Sequence, residues 1–292
     1  MRGVPAGLQR GKKPAMNTRP GTIGARREAF ARLHEAGCFA IPNPWDPGSA
    51  RWLAAAGFKA LASTSSGFAW SQGLPDGRVP LPQVLEHLRA LVAATGLPLN
   101  ADFENGFAGD PEGVARNVSA AIATGVAGLS IEDSTGDSER PLFALSEAVQ
   151  RLRAARAAID ASGQRVLLIG RAENFFVGRP DLADTITRLR AYAEAGADCL
   201  YAPGLATREQ IAAVVAAVAP KPVNVLVGHA GMGLAMADLA ALGVRRVSVG
   251  GALARAAWGG FMRALRPLAE EGRFDGLAEA ASGQELNRFF GV

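Results

Sequence analysis

From about residue 25 onward the sequence repeats one unit: a short apolar run rich in β-branched residues, a few polar or glycine positions, a longer segment with apolar residues near the helical period, and then a glycine. Apolar runs that fit strands occupy residues 39–42, 60–64, 97–102, 128–132, 166–171, 199–202, 223–227 and 246–250. Helices are predicted between them over 81–94, 111–123, 145–161, 180–195, 208–218 and 232–242, with a leading helix over 26–36. Pro111 and Pro180 stand where a first helical turn tolerates a missing N–H. Gly57, Gly96, Gly125, Gly196 and Gly243 follow predicted helix ends, where a left-handed residue closes the last turn.

Strict alternation of strand and helix implies a parallel sheet, because parallel neighbours need a crossover. Eight such units in a chain of 292 residues fit a closed (β/α)8 TIM barrel. The alternative, an open doubly wound sheet, carries a glycine-rich turn after its first strand. Here that segment reads Asn43, Pro44, Trp45, Asp46, Pro47, Gly48. The expected organisation is a basic tail over 1–24, disordered or extraneous to the fold, followed by one barrel over 25–292. Arg-rich and acid-poor, the tail also suits an organellar presequence, and Met16 offers a later start.

Composition changes this picture little. Hydrophobic residues make up 49% and charged residues 20%, as in a globular enzyme. Much of the net charge of +4 sits at Arg2, Arg10, Lys12, Lys13, Arg19, Arg26 and Arg27. The remainder has no stripe of basic and aromatic residues, which argues against nucleic acid as a partner. No apolar stretch is long enough to span a membrane, and a cytoplasmic protein is expected. Cys38 and Cys199 lack the spacing of a metal or redox pair and are read as reduced thiols.

In a barrel of this kind the active site lies at the carboxyl ends of the strands. The residues there are Asn43 and Asp46; Ser65, Ser66 and Gly67; Asp102 and Glu104; Glu132 and Asp133; Arg171, Glu173 and Asn174; Tyr201; Asn224; and Gly250 and Gly251. Neighbouring strands thus bring acids to one rim. If the third strand persists, Asp102 and Glu104 share a face. Clustered carboxylates need a compensating cation, and oxygen donors suit Mg²⁺ or Mn²⁺. With only three histidines, a His-rich zinc site is disfavoured. The same acids could instead be structural, paired with Arg171 or Arg140. Arg171 ends an apolar run; its planar fork suits a substrate carboxylate, or an ion pair with Glu132 or Glu173.

The chain resembles the isocitrate lyase/phosphoenolpyruvate mutase superfamily over nearly its whole length from about residue 26. The resemblance is carried by residues 41–46, 64–67, 73–77, 99–107, 128–133, 170–174, 195–198 and 222–225, in the family's order. It implies a (β/α)8 barrel whose eighth helix swaps between subunits of a dimer or tetramer. It also implies Mg²⁺-dependent cleavage of a C–C or P–C bond of a small 2-oxo acid through an enolate. By position Asp102 looks like the direct metal ligand, Glu104 and Glu132 like partners acting through its waters, and Asp76 like an acid near that water shell. Arg171 looks like the grip on the substrate carboxylate; Ser65, Ser66 and Gly67 like the loop receiving the oxo-acid end; Asn224 like the polar residue ending strand seven. Catalytic work falls on Arg171, Asp76 and Glu132.

The departures narrow the chemistry. Glu104 stands where many members have Asp, Ser130 where lyases often have His, and Ala202 where they tend to have Glu. Residues 133–141 lack the cysteine that serves the lyases as general acid and the Lys-Thr-Asn segment of the mutase. Decarboxylation of an oxaloacetate-like acid, phosphonopyruvate hydrolysis or an aldol-type cleavage remain, with Asp133, Asp137 and Glu139 as candidate proton carriers. Two other readings stay open: a phosphoenolpyruvate phosphomutase-type or other phosphate-binding barrel enzyme, with a phosphate cup at 228–233 and 250–251, and a catalytically degraded 2-oxo-acid sensor.

Overall fold

The computed structural model describes residues 21–291; residues 1–20, most of the expected tail, lie outside them. The order is α1 (Ile23–Leu33), β1 (Phe39–Ile41), α2 (Pro47–Ala55), β2 (Leu61–Ala62), α3 (Ser65–Ser71), α4 (Leu81–Ala94), β3 (Leu99–Asp102), α5 (Pro111–Ile122), β4 (Gly128–Glu132), α6 (Leu145–Ala161) and β5 (Leu167–Arg171). Then follow α7 (Leu182–Glu194), β6 (Cys199–Tyr201), α8 (Arg208–Val218), β7 (Val223–Leu226), α9 (Met236–Ala241), β8 (Arg246–Ser248), α10 (Ala252–Glu271) and α11 (Gly283–Phe290).

The eight strands form one parallel sheet in the order β1-β8-β7-β6-β5-β4-β3-β2. The remaining seam, between β1 and β2, is bridged by the Ala62 N–H donating to Pro42 O at 3.1 Å. This is a (β/α)8 barrel, as the alternating pattern implies. Helices pack their apolar stripes on the sheet's outer face. On α4 the buried set is Val84, His87, Leu88, Leu91 and Val92, the spacing of one helical face. The predicted helix over 232–242 is instead a 3₁₀ turn, Ala230–Met232, followed by the short α9; Gly233, at φ +62°, separates them.

At the amino end of the barrel α1 acts as a plug. Phe30 is fully buried with Ile41, Ala60, Ala62 and Ala127. Arg27 donates from Nε to Val126 O at 2.9 Å and from Nη2 to Ile122 O at 2.9 Å, satisfying the last carbonyl of α5 and one in the turn that follows it. The barrel interior above this plug is unusually polar. Branched apolar residues usually fill that space, yet here Ser63, Asn100, Ser130, Asn224, Arg246 and Ser248 are all buried.

Candidate active site

A cavity of about 850 Å³ opens at the carboxyl ends of the strands. Asp76, Asp102, Glu104, Glu132 and Arg171 line it together, along with Ser65 and Ser66. Arg171, the last residue of β5, is the hub. Its Nη1 lies 3.1 Å from Asp102 Oδ1 and 3.1 Å from Glu132 Oε2, and its Nε donates to Glu173 Oε1. The Tyr201 ring lies 5.1 Å from the guanidinium carbon. Nη2 donates to none of the described residues. Burial alone would pull the guanidinium pKa down, but Glu132 and Glu173 hold it well above its ordinary value.

The acids around this one cation are under-compensated. Burial first, then Asp102 and Asp76, push Glu104 up to about 8. Burial raises Glu132 as well, with Glu173 and Asp102 adding to the shift against the pull of Arg171. Asp76, on the segment after α3, is raised by burial and by Asp102. Such an excess of negative charge is what a bound cation would relieve.

The backbone route to this arrangement differs from the sequence reading in several places. β3 ends at Asp102, and Glu104 reaches the cavity through a left-handed turn (φ +45°), pinned by the Glu132 N–H donating to Glu104 O at 3.0 Å. A non-glycine residue there costs energy and persists only where its surroundings hold it. Ser65, Ser66 and Gly67 are not a loop but the first turn of α3, which Thr64 caps by accepting from the Gly67 N–H at 3.3 Å. The Ser65 N–H donates to Asp102 Oδ2 at 3.0 Å, tying that turn to the acid cluster. A Cβ on Gly67 would stand 2.7 Å from Thr64 Cγ2 and 3.1 Å from Trp45, so its lack of a side chain lets the turn seat; Gly67 itself does not line the cavity.

Asn224 is also outside the lining. It is the second residue of β7, fully buried, and bonded to Ser248 Oγ at 3.0 Å and to Arg246 Nε at 2.9 Å. Asp133 is sequestered behind the rim: it accepts from Tyr192 Oη at 2.5 Å, Arg188 Nη1 at 3.0 Å and the Glu173 N–H at 2.8 Å. That role is structural, since it fixes the backbone of Glu173. Asp137 accepts from the Glu139 N–H at 2.9 Å, and neither residue lines the cavity. From the segment after β4 the cavity receives Ser134, Thr135 and Gly136. At the phosphate cup the sequence allows, a Cβ on Gly251 would lie 2.7 Å from Ser66 Oγ, so that position is packed against α3.

A sequence model described as phosphoenolpyruvate phosphomutase matches residues 30–269. The chain belongs to that family. A crystal structure from Burkholderia cenocepacia J2315 superposes on this phosphomutase-family chain with a TM-score of 0.89 at 49% identity, over 92% of this chain and 98% of that one. Oxaloacetate acetylhydrolase in complex with oxalate superposes with a TM-score of 0.81 at 27% identity, over 92% and 95%. The oxaloacetate decarboxylase of Bradyrhizobium sp. ORS 278 is 34% identical over 61% of this chain and 60% of its own length.

Within this phosphomutase-family site, several lining residues escape the strand-end reading, among them Trp70, Arg255 and Arg246. Trp70 lies one turn into α3, Arg255 one turn into α10, and Arg246 at the wrong end of β8. A period-2 reading of residues 246–250 would have put Arg246 and Ser248 on the same inward face. Arg255 donates to Gly228 O, bringing its guanidinium to the mouth of the cavity.

Proposed function

We propose that this chain cleaves the C–C or P–C bond between carbon 3 of a small 2-oxo acid and its leaving group, through an enolate, in a Mg²⁺- or Mn²⁺-dependent reaction, with decarboxylation of an oxaloacetate-like substrate as the leading case. The observation that carries this reading is the convergence of Asp102, Glu104 and Glu132 on one cavity, with Asp102 and Glu132 sharing the guanidinium of Arg171. The donor set fits a hard cation. It is all oxygen, and burial and mutual repulsion raise the pKa values of Glu104, Glu132 and Asp76 within it. Mg²⁺ characteristically uses one or two carboxylates and keeps several waters. Asp102 would be the direct ligand, Glu104 and Glu132 would act through water, and Asp76 would stand near that shell.

When bound, the metal supplies positive charge beside the 2-oxo oxygen as negative charge develops there. Arg171, with Nη2 uncommitted, holds the substrate carboxylate, and Glu132 and Glu173 fix its plane. Departure of CO₂ leaves its bonding electron pair as the enolate, and a proton then added at that carbon gives the 2-oxo acid product. The leaving group needs no proton, so the reaction makes no demand for the missing cysteine. Ser134, which lines the cavity there, supplies a hydroxyl to order water. The experiment is pyruvate release from oxaloacetate and from phosphonopyruvate, with Mg²⁺ or with EDTA, after subtracting turnover by the metal alone. Turnover that survives EDTA, or none on either compound, overturns the reading.

The α10 face supports a homo-oligomer. Trp258, Phe261, Met262 and Leu265 lie at helical spacing and are 38, 55, 58 and 43% exposed, and α10 buries Ala254 alone. An apolar stripe of this size marks an interface, here read as the face exchanged between subunits of a dimer or tetramer. Phe261→Asp is expected to reduce the mass measured by light scattering to that of one chain. An unchanged mass would remove α10 from the interface. Among the described residues no helix is long and apolar enough to cross a membrane.

A further inference from the structure

One row of paired strand positions, all on the inward face, runs from the mouth of the barrel to its floor. Glu132, Arg171, Tyr201, Asn224 and Arg246 are successive Cα partners on β4 to β8. The row begins at the last residues of β4, β5 and β6 and ends at the first residue of β8. Strand tilt in a closed barrel produces such a descent. Arg246 therefore sits on the same face as Arg171, but deep.

The two arginines differ in their company. Arg171 has three carboxylates. Arg246, 2% exposed, donates from Nε to Asn224 Oδ1 at 2.9 Å and from Nη1 to Asn100 Oδ1 at 3.3 Å. Both acceptors are neutral amides, and among the described residues no carboxylate pairs with it. Its other terminal nitrogen donates to none of them. Burial lowers its pKa, yet a guanidinium remains charged near neutral pH. A buried charge without a counter-ion is costly, and a ligand anion would remove that cost.

The cavity reaches this group, since Arg246, Asn100, Ser130 and Ser248 all line it. Asn100 lies two residues before Asp102 on the inward face of β3, which puts the Arg246 head about one pleat repeat, roughly 6.6 Å, below the acids. The position is built. A Cβ on Gly128 would stand 2.9 Å from Asn100 Oδ1, so the glycine leaves that carboxamide room to hold Arg246. Burial pushes the Tyr201 phenol up to about 12, which keeps it a hydrogen-bond donor at neutral pH.

We infer that Arg246 is the counter-charge for a second anionic group of the ligand, so that the substrate is a dianion spanning the cavity from Arg171 at the rim to Arg246 at the floor. The inference rests on the 2-oxo-acid reading and narrows it. The acidic rim repels a second carboxylate, whereas the floor offers a cation without a carboxylate partner, in a cavity that Ser130 and Ser248 also line. The depth matches a short diacid of about four or five carbons, given C–C bonds of about 1.5 Å. A single carboxylate would leave Arg246 unpaired.

The test is calorimetric binding of pyruvate, 3,3-difluorooxaloacetate and 2-oxoglutarate to the Mg²⁺-loaded protein, the difluoro compound standing in for oxaloacetate so that binding is read without turnover. The dianions are expected to bind about 10–100-fold more tightly than pyruvate, the range of charge-assisted hydrogen bonds. Arg246→Met, which fills the space without charge, should erase that preference and leave pyruvate affinity intact. Arg246→Lys should retain part of it, and serves if the methionine variant does not fold. Wild-type protein that binds pyruvate but shows no dianion preference overturns the inference. So does a preference that survives Arg246→Met or is lost in Arg255→Met. Failure of wild-type protein to bind any of the three sinks the 2-oxo-acid reading itself.

Discussion

Replacing Arg171 with methionine is expected to cost about 3–5 kcal/mol of stability at pH 7.5, the range for stripping one partner from a buried ion pair. In a protein of this size that is a fall on the order of 10 °C in melting temperature. Methionine occupies similar space, so the loss comes from charge. Glu132 and Glu173 keep their burial and their mutual repulsion, and lose the guanidinium that opposes both. Their folded pKa values, already raised, rise further.

The pH dependence follows in sign. A carboxyl whose folded pKa exceeds its unfolded value destabilises the fold progressively as pH rises from the unfolded value to the folded one. Below about pH 4.3, where both states bind the proton, the penalty vanishes. The deficit of the methionine variant should therefore be largest near and above neutrality and shrink on acidification. Arg171→Lys keeps the charge and loses the fork. It should fold nearly as well and bind the substrate carboxylate more weakly. Denaturation curves at pH 5 and 7.5 decide the matter: a methionine variant as stable as wild type at pH 7.5 would show that Arg171 is not the electrostatic hub.

The barrel was legible because two periodicities alternate along the chain with glycine and proline between them, and burial of one face of each element enforces both. The rim acids were legible for the same reason, since a strand's last residue is placed by the strand itself. What failed were positions set by the backbone beyond a strand end. Glu104 enters through a left-handed turn that no sequence pattern near Asp102 announces. Ser65 to Gly67 look like a loop because serine and glycine end strands and also begin helices; the cap on Thr64 decides between them. Asp133 shares the rim with Glu132 in sequence, but the next residue of a strand points the other way, towards Tyr192 and Arg188. Asn224 was misplaced in depth, and Arg246 was not singled out, because the tilt of the barrel is a property of its closure and of no single strand.

The clearest separation of a metal ligand from a structural acid comes from Asp102→Asn. Metal-dependent turnover is expected to fall by more than the roughly 10–100-fold that losing an outer partner of a metal ligand costs. Stability should move far less than in the Arg171 variant. The carboxamide oxygen can still accept from one of its two donors, the Ser65 N–H or Arg171 Nη1, while the other bond is lost. Against that loss, a charge that raises both Glu104 and Asp76 is gone. With Glu104 at about 8 in the native protein, its penalty builds between about pH 4.3 and 8. Removing the Asp102 charge lowers that upper limit, so the variant should gain on wild type in metal-free melts as pH rises towards 8. Mg²⁺ should stabilise the wild type and not the variant, because only a state that binds the ion is favoured by it. A variant that melts far below wild type at pH 8 without metal, or one that keeps its turnover, would make Asp102 a fold residue and leave the cation without its ligand.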